Sequence, residues 1–313
     1  MSQCTVPAAP KPKKQGFFKK LGASKYLVLL MLPGLIYYLV FHYLPMYGIV
    51  IAFTNYKGGA LPGSSFVGFK WFTEFFNSFY FGRLLGNTLI LSLYNLIFSF
   101  PIPIIFALAL NEMRCRPFKR VVQTVSYLPH FISVVVIVGM LRTMLSPTDG
   151  VINNLIRANG GNAINFFGNS QYFRPLYIGS GVWQTFGWNS IIYLAALTNA
   201  DPSLYEAARI DGANRWQQLL HVSIPCILPT MIILLIMQLG RTMSVGYEKI
   251  ILMYEPATYE VADVISTYVY RRGIVNGQYS FATAIGLFNS VINMVLLIAV
   301  NTVSRRISEV SLW

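Results

Sequence analysis

Charge is what this sequence has little of. Asp, Glu, Lys and Arg make up only 11% of its 313 residues, against about 25% in soluble domains. A water-facing surface needs charge, so a large soluble domain is excluded. Cysteine is scarce as well. Cys4, Cys115 and Cys226 lie far apart without CxxC spacing, which points to free thiols rather than a disulfide framework or a zinc site. The three histidines, His42, His130 and His221, occupy different segments and form no HExxH, so no metal site is expected. No Ser, Thr or Cys is matched with a plausible His and carboxylate for nucleophilic catalysis. The polar pairs that an intramembrane protease or lipid-modifying enzyme would carry inside its apolar runs are not found. A phosphate-cradling loop, G-x-x-x-x-G-K-[ST], is missing too. Its nearest approach runs from Gly58 to Ser65 and has no lysine. The chain is therefore not expected to be an enzyme.

What is there is apolar and arranged in blocks. Hydrophobic residues make up 55% of the chain, and a membrane helix needs about 20 of them in succession. Six blocks qualify: 26–53, 86–110, 121–141, 175–198, 222–240 and 281–303. Helices are expected because backbone polar groups in lipid must be satisfied within the segment or in a closed barrel. Continuous blocks lack the alternation of barrel strands. The first block is too long for a cleaved signal peptide. It reads as a retained helix, with a break near Pro45, preceded by a basic tail at 1–25. The fold class expected is an all-α, multi-pass cell-membrane protein with six transmembrane helices.

Lys and Arg give those helices a direction. With the N-terminus inside, fourteen of the 24 Lys and Arg fall on the cytoplasmic side: six in the tail, Arg114, Arg116, Lys119 and Arg120 in the first inner loop, then Arg209, Arg215, Arg305 and Arg306. Both termini are then cytoplasmic. The net charge of +13 reads as a topology and lipid signal, and no nucleic acid partner is expected. The outer loops, 54–85, 142–174 and 241–280, are each too short for a sizeable independent domain.

The inner loop 201–225 carries the most information. Asp201 can cap a helix with Pro202 at its first position. Ser203 and Glu206 also fit the S-x-x-E capping box, and the two starts compete. Ala207 and Ala208 favour the helix, and Gly212 suits the left-handed residue that ends it. A second short helix, 214–220, then leads to Pro225. Local physics alone is equally compatible with an ordinary amphipathic connector. The pattern, however, resembles the EAA motif of binding-protein-dependent ABC importer permeases: Glu206-Ala207-Ala208, three residues, Gly212, then Val222, Ile224 and Pro225 at the motif's spacing. Val222 stands where the motif has Ile, and Ile224 where it has Leu. Leu44-Pro45, Phe69-Lys70-Trp71-Phe72, Gly86-Asn87-Thr88 and Tyr127-Leu128-Pro129 look like the first permease of a sugar importer pair. Tyr127 to His130 is similar to permeases for polysaccharide-derived oligosaccharides.

The resemblance implies the type I ABC importer permease fold. It implies a second permease, two ATPase subunits that bind ATP and Mg, and an extracytoplasmic solute-binding protein delivering a carbohydrate. Glu206, Ala207, Ala208, Asp211, Gly212, Val222, Ile224 and Pro225 would form the contact with the ATPases. A permease for another small solute, or a secondary transporter, is the alternative. For the substrate path, polar and aromatic residues inside spans are the candidates: Trp183, Gln184, Trp188, Asn189 and Tyr193 in the fourth span, Tyr94 in the second, Gln238 and Arg241 at the fifth, and Asn289 and Asn293 in the sixth. Each could instead pack helices together or sit at the membrane interface.

Overall fold

The structure is a computed structural model and describes residues 25–59 and 64–308. The basic tail up to residue 24, residues 60–63 and the last five residues lie outside that description. The chain divides into two units, 1–50 and 51–313. In the first, α1 (Lys25–Tyr38) passes through a π turn, Leu39–Tyr43, into a 3-10 stretch, Leu44–Phe53, whose last three residues belong to the second unit. The break expected at Pro45 does not occur. The winding widens instead, and the Leu44 N–H donates to the Leu39 carbonyl, five residues back. That wider turn comes directly before the proline, whose ring and missing N–H disturb the ordinary i to i−4 pattern.

The second unit continues with α2 (Lys70–Phe76), α3 (Phe81–Ser99), α4 (Pro101–Glu112), α5 (Arg116–Tyr127), α6 (Val134–Met144), α7 (Val151–Ala158) and α8 (Ser170–Thr198). Then follow α9 (Pro202–Ile210), α10 (Arg215–Gln218), α11 (Ile224–Leu239), α12 (Tyr247–Met253), α13 (Tyr259–Ala262), α14 (Ile265–Tyr270) and α15 (Tyr279–Ser308). The described residues hold no strand, only an isolated antiparallel bridge between Thr54 and Phe66.

Among the described residues, four stretches are long and apolar enough to cross a bilayer: Lys25–Phe53, Phe81–Glu112, Arg215–Leu239 and Tyr279–Arg306. The third expected span, 121–141, is not one helix. α5 and α6 meet at a 98° elbow. Pro129 lacks a donor, Ile132 and Ser133 are extended, and the Ser133 hydroxyl caps α6 by accepting from Val136 N at 3.3 Å. Counted as one broken span, the pair makes a fifth candidate. α8 is 29 residues long and starts earlier than expected, because the Asn169 side chain accepts from Gln171 N at 2.9 Å. It is not apolar enough to count with the others. It packs against α3, α4, α5 and α11, so neighbouring helices rather than lipid can satisfy its amides and indoles.

The segments 142–174 and 241–280, both expected as outer loops, fold together. Leu145, Phe167, Ile250, Met253, Ala262 and Val264 are buried in one cluster with Leu91 of α3 and Val138 of α6. Asn153 organises the first of them. Its amide nitrogen donates to the carbonyls of Leu145, Ser146 and Ile164, and its oxygen accepts from Ile164 N. Asn87 of α3 does the same for the other segment, donating to the carbonyls of Glu260 and Asp263 at 2.8 and 3.0 Å while accepting from Arg174 at 3.1 Å. Asp263 is 1% exposed. It accepts from Arg271 at 2.6 Å and from Thr267 at 2.7 Å. Removing one partner of a buried ion pair leaves the other charge unsatisfied, at about 3–5 kcal/mol. Asp263→Ala is therefore expected to lower the melting temperature of the purified protein markedly. Adding Arg271→Met to it should recover part of the loss; no change on Asp263→Ala would show the pair to be dispensable.

Candidate functional site

Two features have the makings of a transport site: an exposed helical hairpin and an internal cavity. The hairpin is α9 and α10. Of the two competing starts, Asp201 caps: its side chain accepts from Ser203 N at 2.9 Å, with Pro202 in the first turn. That hydrogen bond holds the Asp201 carboxyl below its ordinary range. At the other end Ala213 N donates to the Ala208 carbonyl at 2.8 Å, and Gly212 N to the Arg209 carbonyl at 3.1 Å. This is a Schellman ending, with Gly212 at φ +78° as its left-handed residue.

Asn214 opens α10 with a reciprocal capping box. It accepts from Gln217 N at 2.9 Å, and its own N–H donates to the Gln217 side chain at 2.7 Å. α10 is shorter than the expected 214–220. A π turn, Leu219–Ser223, joins it directly to α11, one residue before Pro225, as at Pro45. Two side-chain contacts brace the hairpin: Tyr205 with Ser223 at 2.9 Å, and Arg215 with Glu112 at the end of α4 at 2.6 Å. Glu206, Ala207, Asp211, Gly212 and Pro225 are exposed, while Ala208, Val222 and Ile224 are half-buried. Ile210 at 86% and Trp216 at 72% exposure are large apolar side chains with no cover.

The cavity, of about 530 Å³, lies among α3, α8, α11 and the segment that follows α11. Of the ten sequence candidates it gathers Gln184, Asn189, Tyr193, Gln238 and Arg241. Trp183, Trp188, Tyr94, Asn289 and Asn293 do not line it. Trp188 stacks flat on His130 at 4.5 Å between ring centres. Gln184 also donates to the Ile132 carbonyl at 3.0 Å, so α8 grips the elbow between α5 and α6 at two levels. Asn293 caps the turn after α11, accepting from Met243 N and donating to Ser244, both at 2.9 Å. Trp183 and Tyr94 are exposed.

Sequence reasoning missed Lys249, a buried lysine in the cavity wall. Its ammonium donates to the Tyr177 carbonyl at 3.0 Å, and burial pushes its pKa down to about 8. The available signal was a lone cation at the head of the apolar run from Ile250 to Met253.

Comparison with known proteins fits this geometry. The family model described as binding-protein-dependent transport system inner membrane component matches residues 99–309. The chain belongs to that family. It is a permease subunit of the ABC transporter class and a multi-pass membrane protein. The polygalacturonan/rhamnogalacturonan transport system permease protein YteP of Bacillus subtilis (strain 168) is 44% identical over 97% of this chain and 95% of its own length. Protein LplB of the same organism is 41% identical over 94% of this chain and 92% of its own. Among solved structures, a chain of a bacterial alginate ABC transporter, crystallised with its alginate pentasaccharide-bound periplasmic protein, superposes with a TM-score of 0.87. It has 43% identity over 95% of the permease and 99% of that chain.

Proposed function

We propose that this permease pairs with a second one to form the translocation path of an ATP-driven importer for oligosaccharides cut from a polysaccharide. Both a curated relative and a solved neighbour are named for polysaccharides. α8 would make the remaining crossing inside the helix bundle, giving six with cytoplasmic termini, in keeping with the excess of Lys and Arg at those ends. Substrate would arrive on an extracytoplasmic solute-binding protein. ATP and Mg would be bound by two ATPase subunits in separate chains.

The observation that carries this reading is the exposed hairpin. Ile210 and Trp216 are uncovered at the tip of a braced, doubly capped element, which suits seating in a groove of an ATPase. Coupling needs an element whose position differs between two states of the transporter. A hairpin that moves as a unit transmits such a displacement into α11, with which α10 is continuous.

Purification from the native membrane tests it. An ATPase should copurify, and proteoliposomes holding the complex should take up oligosaccharide only with ATP inside and solute-binding protein outside. Uptake driven by an ion gradient without an ATPase would identify a secondary transporter instead.

A further inference from the structure

The walls of the 530 Å³ cavity hold two cations, Arg241 and Lys249, and, among the described residues, no carboxylate. A lysine that is 8% exposed carries a desolvation cost that a carboxylate normally offsets. None is at hand. Glu248, its neighbour in sequence, is exposed and does not line the cavity. Glu255 and Asp263 are committed to Arg142 and Arg271. What the ammonium has is the Tyr177 carbonyl and, at 5.1 Å, the face of the Tyr177 ring. An ammonium has three donors, and the Tyr177 carbonyl is its one acceptor among the described residues. Gly181, one turn along α8, leaves the space: a Cβ there would stand 3.3 Å from Nζ. The backbone is thus shaped to keep this charge inside the wall and open to the cavity. Arg241, in the turn that follows α11, makes no side-chain hydrogen bond or ion pair among the described residues.

We propose that Lys249 and Arg241 form a carboxylate-reading subsite, so that the sugar passing through the cavity is an acidic oligosaccharide built of uronate units. This rests on the carbohydrate reading above. Gln184, Asn189 and Gln238 supply amides for the sugar hydroxyls, and the two cations supply what a neutral sugar would leave unused. A cavity of this size holds a short stretch of chain, so the pair reads units one or two at a time as the oligosaccharide moves past.

The test uses the purified complex of permeases and ATPases in phosphatidylcholine proteoliposomes, with its solute-binding protein outside. Uptake of an oligogalacturonate is compared with uptake of its methyl ester, which keeps the backbone and removes the charge. Wild-type transporter should favour the acid. Lys249→Gln should cut the acid-to-ester ratio by about tenfold, the scale of one hydrogen bond to a charged group. Lys249→Arg should keep it. Arg241→Gln, at an exposed position where folding is not at risk, should shift the ratio the same way. If acid and ester uptake fall together in Lys249→Gln while Arg241→Gln leaves the ratio unchanged, the pair is structural and the proposal is overturned. Should wild-type transporter take up neither sugar, the carbohydrate reading itself falls, and this one with it.

Discussion

Gly187→Leu is expected to abolish accumulation of folded permease, and Gly187→Ala to lower its melting temperature. At Gly187, α8 passes so close to α5 that an added Cβ would run into the Ser126 carbonyl, 2.6 Å from its carbon and 2.9 Å from the Ser126 Cβ. The obstacle is backbone, so no rotamer change relieves it. Small residues at helix crossings allow this kind of approach in membranes. The alanine should cost about 1–3 kcal/mol, the usual scale of overpacking. The leucine cannot be housed without parting the helices, and parting them undoes the grip on the elbow. Gln184 holds the Ile132 carbonyl and Trp188 stacks on His130, both on the stretch that joins α5 to α6. Gly179 on the same helix is the control, since a Cβ there meets nothing within 4 Å. Gly179→Ala should be neutral or stabilising, because alanine is the better helix former. Thermal unfolding of the two alanine variants in detergent, with the membrane yield of the leucine variant beside it, decides the matter. Equal stability of Gly187→Ala and Gly179→Ala would mean that the close approach does not hold the elbow.

The contrast between these two glycines also shows where sequence reasoning stops. The hairpin was legible because its determinants are local. Asp201 and Gly212 act on backbone groups within a few residues, so their spacing alone fixes the first cap and the turn; the Asn214/Gln217 box is equally local but was not read. Even there, the choice of Asp201 over Ser203 as the cap was open. The elbow was written in equally local terms, Pro129 and Ser133, yet a continuous apolar block hid it. Hydropathy measures compatibility with lipid and is blind to direction. The cavity was half legible. Polar residues in apolar runs pointed to Gln184, Asn189 and Gln238. The same rule selected Asn293, which the fold spends on Met243 N and Ser244. The lone cation at Lys249 was visible but its burial was not, because that depends on a segment far off in sequence, with the Tyr177 carbonyl 72 residues away accepting from its ammonium.

Gly212→Val is expected to leave the permease folded and assembled in the membrane but to cut ATP-dependent uptake by about an order of magnitude. Gly212 sits at φ +78°, where a side chain costs about 1–2 kcal/mol and a β-branched one is a true outlier. A Cβ there would meet nothing within 4 Å. The penalty is therefore confined to the backbone and does not reach the helix bundle. The hairpin can escape it only by abandoning the bonds from Gly212 N and Ala213 N to the Arg209 and Ala208 carbonyls. That changes the angle between α9 and α10, and with it the placement of Ile210 and Trp216 on the hairpin. A strain of 1–2 kcal/mol shifts a two-state population by a factor of roughly 5–30, which sets the size of the loss if the native hairpin is the form that docks. Gly212→Asn supplies the internal check, because asparagine tolerates the left-handed conformation and should keep most of the uptake. ATP hydrolysis by the assembled complex should become less dependent on substrate-loaded binding protein in the valine variant. Two outcomes would remove the hairpin from its role as lever: full uptake with valine, or asparagine failing as badly as valine does.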